Sequence, residues 1–280
     1  LPSGVLVLGA IASVQFGAAL AVTLFAQVGP AGVVTLRLST AAVILCLLRR
    51  PRLLGRGRAE IMLACLFGLV LAGMNLCFYE AVSRIPLGIA VSIEFVGPLA
   101  VAIAGSRRPA DLLWVALAAG GIVALMHGSS EPLNGLGIAL ALAAGCLWGL
   151  YILLNARLGR AFSDSTGLTL AICVAAAAML PLGAAAAGSS LLSPEALAVG
   201  CAVGILASAI PYSLEVEALR RIAPAVFGVL MSLEPAMAAL AGFLVLGQDL
   251  GVRALVGIAM VILASVGASR GFAGTAPVAQ

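Results

Sequence analysis

Residues 84–98 read RIPLGIAVSIEFVGP, and residues 221–235 read RIAPAVFGVLMSLEP. Laid over one another with an offset of 137 residues, both stretches open on the same Arg-Ile pair. Arg84 meets Arg221, Ile85 meets Ile222, and both stretches close on a proline, Pro98 with Pro235. The register continues on either side: Ala81 with Ala218, Ala102 with Ala239, Ala104 with Ala241, Gly105 with Gly242 and Gly120 with Gly257. Alanine and glycine matches are cheap in this composition; the Arg-Ile and proline matches are not. Each stretch also carries one carboxylate in an otherwise apolar run, Glu94 and Glu234.

The runs around these stretches belong in lipid. The chain is 63% hydrophobic and 9% charged over 280 residues. A soluble domain has roughly 45–50% apolar and about 25% charged residues, and a water-soluble chain could not hide this much apolar surface. A bilayer removes the difficulty by acting as the solvent of the outer face. Apolar runs recur at 4–26, 31–48, 61–80, 86–105, 111–127, 135–156, 166–187, 196–214, 224–246 and 251–269. Each is close to the ~17–25 residues that a spanning helix needs. The first run is long enough to span, so it reads as a membrane helix rather than a cleavable signal. Gly29-Pro30, Arg50-Pro51, Ile85-Pro86, Arg108-Pro109, Glu131-Pro132, Ser193-Pro194 and Ala223-Pro224 mark the breaks. Proline is tolerated at a helix start, where its missing N–H would be unpaired anyway.

The expected fold is therefore an all-α polytopic membrane protein with ten transmembrane helices. The offset divides it into two five-helix repeats, residues 1–130 and 131–280. Five is odd, so the second repeat enters the membrane from the opposite side. Inverted repeats of this kind suit alternating-access transport, with the substrate site near mid-membrane between the halves.

All 15 basic residues are arginine. On one side of a ten-helix arrangement lie Arg49, Arg50, Arg52, Arg56, Arg58, Arg107, Arg108, Arg157, Arg160, Arg220, Arg221 and Arg270, against Arg84 and Arg253 on the other. The positive-inside rule assigns the rich side, with both termini, to the cytoplasm. No basic helix or aromatic-studded groove suggests nucleic acid. The cysteines, Cys46, Cys65, Cys77, Cys146, Cys173 and Cys201, all fall inside apolar runs without Cys-x-x-Cys spacing, and read as small buried or lipid-facing residues. One histidine, His127, builds no metal site alone and reads as interfacial. No metal or cofactor is expected. An embedded enzyme would need a nucleophile with a base, or a metal cluster, and the chain offers neither.

Charges inside the bilayer cost a few kcal/mol or more and normally face a cavity or a partner. Glu94 lies about eight residues into the fourth run and Glu234 about ten into the ninth, roughly 12 and 15 Å deep at ~1.5 Å per residue. Both approach the central layer. Either they line the path, binding an ammonium group or carrying protons, or each stabilises the kink beside it, at Gly97-Pro98 and at Pro235. Arg37, in the second run, either meets a substrate carboxylate or is paired structurally. Glu80, Glu215 and Glu217 read as solvated helix ends. Asn75 and Tyr79, four apart and on one helix face, are candidate cavity walls. So are Tyr212 and Ser213 beside Pro211, and Trp148, Tyr151 and Asn155, with packing or an interfacial belt the competing reading for Trp148 and Tyr151. The Gly145-x-x-x-Gly149 and Gly200-x-x-x-Gly204 patterns suit close helix contacts. Gly97, Pro98 and Pro235 are candidate hinges.

Residues 85–102 (IPLGIAVSIEFVGPLAVA), 106–109 (SRRP), 210–215 (IPYSLE) and 227–236 (FGVLMSLEPA) resemble the drug/metabolite transporter superfamily, in particular its EamA-type ten-helix branch and the bacterial amino-acid exporters within it. The likeness runs from about Ala12 to Ser269. It implies export of threonine- or homoserine-like amino acids from a bacterial inner membrane, with broader neutral and aromatic specificity open. Export of other metabolites or drugs is the alternative, and a passive pore a more distant one. The resemblance further implies a central cavity lined by the third, fourth, eighth and ninth helices, which hold Asn75, Tyr79, Glu94, Tyr212, Ser213 and Glu234. Where superfamily members often end the ninth helix on Gly-Glu, this chain has Gly247-Gln248, leaving the role of that position open.

Overall fold

A computed structural model describes residues 3–49, 56–104, 111–126, 133–162, 166–219, 221, 227 and 230–273. The side chains of some of these, including Tyr212, Ser213 and Glu215, fall outside that description, as do His127 and the Arg107-Arg108 pair. Helices α1 (Ser3–Thr23), α2 (Phe25–Arg49) and α3 (Arg58–Val82) are followed by a broken pair, α4 (Leu87–Glu94) and α5 (Val96–Ala104). Then come α6 (Asp111–Met126), α7 (Gly135–Ala161) and α8 (Thr166–Ala187). A 3₁₀ turn (Gly188–Leu192) leads into α9 (Pro194–Gly204), a π-helical turn (Ile205–Ala209), α10 (Ile210–Leu219), α11 (Glu234–Leu246) and α12 (Val252–Ala273).

Among the described residues, five helices are long and apolar enough to cross a membrane: Gly4–Thr23, Phe25–Leu48, Arg58–Val82, Gly135–Ala161 and Thr166–Leu192. Shorter apolar helices, Leu87–Val101, Leu113–Leu125, Pro194–Ser208, Glu234–Leu246 and Val252–Gly267, lie within or across the remaining predicted runs. Large side chains such as Leu47, Met62 and Leu192 stand more than 70% exposed on the outer face. That surface suits lipid rather than water. The chain is an all-α polytopic membrane protein.

Local chemistry explains most boundaries. The Asn134 side chain accepts from Gly137 N at 3.0 Å and starts α7; Ser193 accepts from Ala196 N at 3.2 Å and starts α9, with Pro194 in its first turn. Each side-chain acceptor satisfies a donor that a helix start leaves orphaned. The stretch Phe25–Arg49 is two helical segments, and the longer one starts at Pro30, as the Gly29-Pro30 break suggests. Gly29, at φ 67° and ψ 170°, is the non-helical residue between them, a conformation that glycine adopts without a Cβ penalty.

The predicted fourth helix is two helices. α4 ends at Glu94, Phe95 forms the turn, and α5 begins at Val96. Pro98 has no N–H to return to the carbonyl four residues back, which is that of Glu94. The break thus falls upstream of the proline itself. In the ninth predicted helix, residues 230 and 231 are helical, 232 and 233 form a turn, and α11 begins at Glu234 with Pro235 in its first turn.

Packing rests on small residues. α2 runs along α8, α3 along α7 and α8, and α6 along α12. A Cβ built on Gly97 would lie 1.8 Å from the carbonyl oxygen of Gly145, and one on Gly145 would lie 2.7 Å from that of Glu94. The backbones of α5 and α7 therefore touch without side chains between them. Gly149 continues that seam against Val101 and Gly97, while Gly200 and Gly204 seat Leu36 and Thr40 of α2. Lipid tails are as apolar as the helices, so close packing of this kind carries association where burial from water cannot. Gln248 also finds its place: its Oε1 accepts from the backbone N of Leu87 at 3.0 Å, tying the end of α11 to the start of α4.

Candidate functional site

A cavity of about 250 Å³ lies among the helices. Its walls include Gln15 of α1, Arg37 of α2, Asn75 of α3, Glu94 of α4, Trp148 and Tyr151 of α7, Pro211 of α10 and Glu234 of α11. Glu94 is 8% exposed and Glu234 6%, and Glu94 lies within charge–charge range of both Glu234 and Arg37. Two carboxylates and one guanidinium thus share a small, mostly apolar chamber.

A break in the backbone positions Arg37. In the π-helical turn, Ile210 N bonds five residues back to Ile205 O. The next residue, Pro211, has no N–H, so the carbonyls of Leu206 and Ala207 lose the donor that would have served either of them. Side chains replace it. Ser13 Oγ donates to Leu206 O at 2.6 Å, and Arg37 Nη2 donates to Ala207 O at 3.2 Å. Arg37 Nη1 donates to the Tyr79 hydroxyl at 3.2 Å, and the guanidinium sits 5.8 Å from the Tyr79 ring centroid. Both ends of the fork are held, while Nε is buried without a hydrogen-bond partner among the described residues.

Of the residues expected at the site, Asn75, Glu94 and Glu234 come together on the cavity wall. The Asn75 amide donates to Leu71 O at 2.8 Å, which fixes its rotamer. Tyr79 does not reach the wall. It is fully buried behind Arg37, edge-on to Phe25 and Phe78, and acts on the cavity through the guanidinium. Tyr212 and Ser213 lie on α10, with side chains outside the described part. Gly97 is buried against α7, Pro98 is half-buried, and Pro235 is buried in the first turn of α11. Trp148 packs edge-on against Phe95 at the helix break, with ring centroids 5.3 Å apart, and Tyr151 stacks on Phe67 at 4.9 Å. The solvated-end reading of Glu80 and Glu217 agrees with their part-exposed ion pairs to Arg84 and Arg221.

The cavity draws on more helices than the third, fourth, eighth and ninth. Gln15, from the first, is the residue that sequence reasoning missed. It is 4% exposed, and its Oε1 has no hydrogen-bond partner among the described residues. The signal was present, since Gln15 is the one amide in the apolar run 4–26.

Comparison with known proteins places this chain in a family. The EamA-like transporter family matches residues 135–270. The threonine/homoserine exporter RhtA of Escherichia coli K12 is 41% identical over 267 residues, covering 95% of this chain and 90% of its own. RhtA of Salmonella typhimurium LT2 is 41% identical over 262 residues, covering 93% and 88%. A solved crystal structure, 17% identical, superposes with a TM-score of 0.61 over 98% of this chain and 99% of its own, a likeness of fold. With relatives matched along nearly its whole length, this multi-pass membrane protein belongs to the EamA-like transporter family, a family of transporters and not of enzymes.

Proposed function

We propose that the protein exports amino acids of the threonine and homoserine kind, by alternating access through the central cavity. The observation that carries this is the pairing of one anchored guanidinium with two carboxylates in a chamber of about 250 Å³. A free amino acid is a zwitterion. Its carboxylate suits the unpartnered Nε–H of Arg37, and its ammonium suits Glu94 and Glu234. The chamber lies below the ~300–1,000 Å³ typical of drug-sized ligand sites, which favours a small solute over a drug. The relatives named as threonine/homoserine exporters support the same substrate class.

Two inverted five-helix repeats, residues 1–130 and 131–280, give the architecture. The offset of 137 residues carries the turn at Phe95 onto that at Ser232, so both helices break at equivalent positions. The same offset exchanges one set of packing partners for another. α3 on α7 becomes α1 against α9 and α10, α3 on α8 becomes α2 on α9, and α4–α5 on α7 becomes α1 on α11. α2 on α8, α6 on α12 and α4 on α11 map onto themselves. This pairing supports a pseudo-two-fold relation and ten spans, with the substrate held between the halves.

Purified protein in liposomes should move radiolabelled threonine and homoserine down a gradient, and should show counterflow. Binding should be weak, as suits release against accumulated substrate. A panel in which no amino acid moves while a sugar, nucleoside or drug does would overturn the substrate reading. Unitary currents in single-channel recording would replace alternating access by a pore.

The orientation follows the arginine distribution: bacterial inner membrane, both termini cytoplasmic, and Ser129 and Ser189 outside. Ser189 is exposed on the 3₁₀ turn, and Ser129 lies outside the described residues. Ser189→Cys and Ser129→Cys, each in a cysteine-free background, should react with an impermeant thiol reagent added to whole cells. Protection of both would invert the topology.

A further inference from the structure

We infer that Gln15 selects for a hydroxyl on the substrate side chain, an assignment that rests on the amino-acid export reading above. Three unlike poles face the cavity. Arg37 brings a positive donor, Glu94 and Glu234 bring carboxyl acceptors, and Gln15 brings a neutral amide acceptor whose Oε1 is covered in this conformation. The ionic groups of a zwitterion are drawn to the ionic poles, because charge-assisted hydrogen bonds are roughly twice as strong as neutral ones. That leaves the Gln15 Oε1 for a neutral donor.

The need for such a donor is physical. Gln15 is 4% exposed, and its Oε1 is buried without a partner among the described residues. A buried acceptor left unpaired is costly, and native structures seldom keep one without a reason. Three polar groups in or beside the cavity wall are committed elsewhere. The Asn75 amide donates to its own helix, Ser13 Oγ to Leu206 O, and two guanidinium nitrogens of Arg37 to Tyr79 and Ala207. A hydroxyl on the amino-acid side chain supplies an O–H donor of the right kind. Threonine and homoserine both carry one, on different carbons. A site built to pair a substrate hydroxyl rejects the analogue lacking it, since binding the analogue leaves the acceptor stranded.

The test compares isosteric pairs in proteoliposome counterflow: threonine against valine, and homoserine against norvaline. The wild type should favour the hydroxyl member of each pair. Gln15→Met keeps side-chain length and removes the acceptor oxygen, and its threonine-to-valine flux ratio should fall at least fivefold. Valine flux in the Met variant reports a folded transporter. Equal ratios in wild type and Gln15→Met, an equal loss for both members of each pair, or no hydroxyl preference in the wild type would each overturn the assignment while leaving amino-acid export standing. Absence of flux for every amino acid in the wild type would instead remove the export reading, and this assignment with it.

Discussion

Gly97→Ala is expected to leave almost no folded transporter. The added methyl would sit 1.8 Å from the carbonyl oxygen of Gly145, and backbone cannot rotate aside as a side chain does. Inserting a methyl into a packed core costs typically 1–3 kcal/mol, and more when the neighbour is fixed. Here the cost falls on the seam that holds α5 against α7. Gly145→Ala should fail similarly, since its methyl would lie 2.7 Å from Glu94 O. Gly73→Ala is the control. Its methyl would meet only the end of Leu147 at 3.4 Å, an ordinary contact, and alanine favours a helix interior over glycine by ~1 kcal/mol. Detergent-solubilised yield and monodispersity should separate the two classes. A monodisperse Gly97→Ala at wild-type yield would show that α5 and α7 are free to part.

Pro98→Ala is expected to fold and to slow turnover by about tenfold, with little change in equilibrium binding. Alanine restores an N–H that can bond the Glu94 carbonyl, closing the gap between α4 and α5. A continuous helix bends less readily, and the proposed hinge at Gly97-Pro98 stiffens. Pro235→Ala should have a smaller effect. Pro235 stands in the first turn of α11, where a restored N–H has no intrahelical carbonyl to meet. Parallel binding and counterflow measurements on both variants decide the matter. Unchanged turnover in both would leave the prolines as static shapers of the cavity.

The all-α, membrane-spanning character was legible because a bilayer demands long apolar runs and little else. The break before Gly97-Pro98 was legible as well, though its place was not obvious from the proline. The lost hydrogen bond belongs to residue 94, so the helix gives way there. Asn75 and Tyr79 share a helix face, yet only Asn75 reaches the cavity; one turn along, Arg37 comes between Tyr79 and the chamber. Spacing places residues on a face, but a neighbouring helix decides what that face sees. The seat of Arg37 was beyond sequence reasoning for the same reason. It depends on a carbonyl freed by Pro211, 174 residues further along the chain. Gln15 carries no charge, yet an amide in an apolar run is nearly as informative as a carboxylate. Gln248 gains a role only when Leu87 N is seen beside it.

The carbonyl at residue 94 also restricts how its helix can travel. Pro98 cannot serve it, and it rests against the bare backbone of Gly145. Rolling α4 and α5 about their long axis would carry this oxygen toward acyl chains, where an unserved polar group costs several kcal/mol. Flexing keeps it turned inward. Under the proposed alternating access, the strokes open to this segment are therefore swings within a plane, with the carboxyl side chain of the same residue still turned to the cavity through each of them.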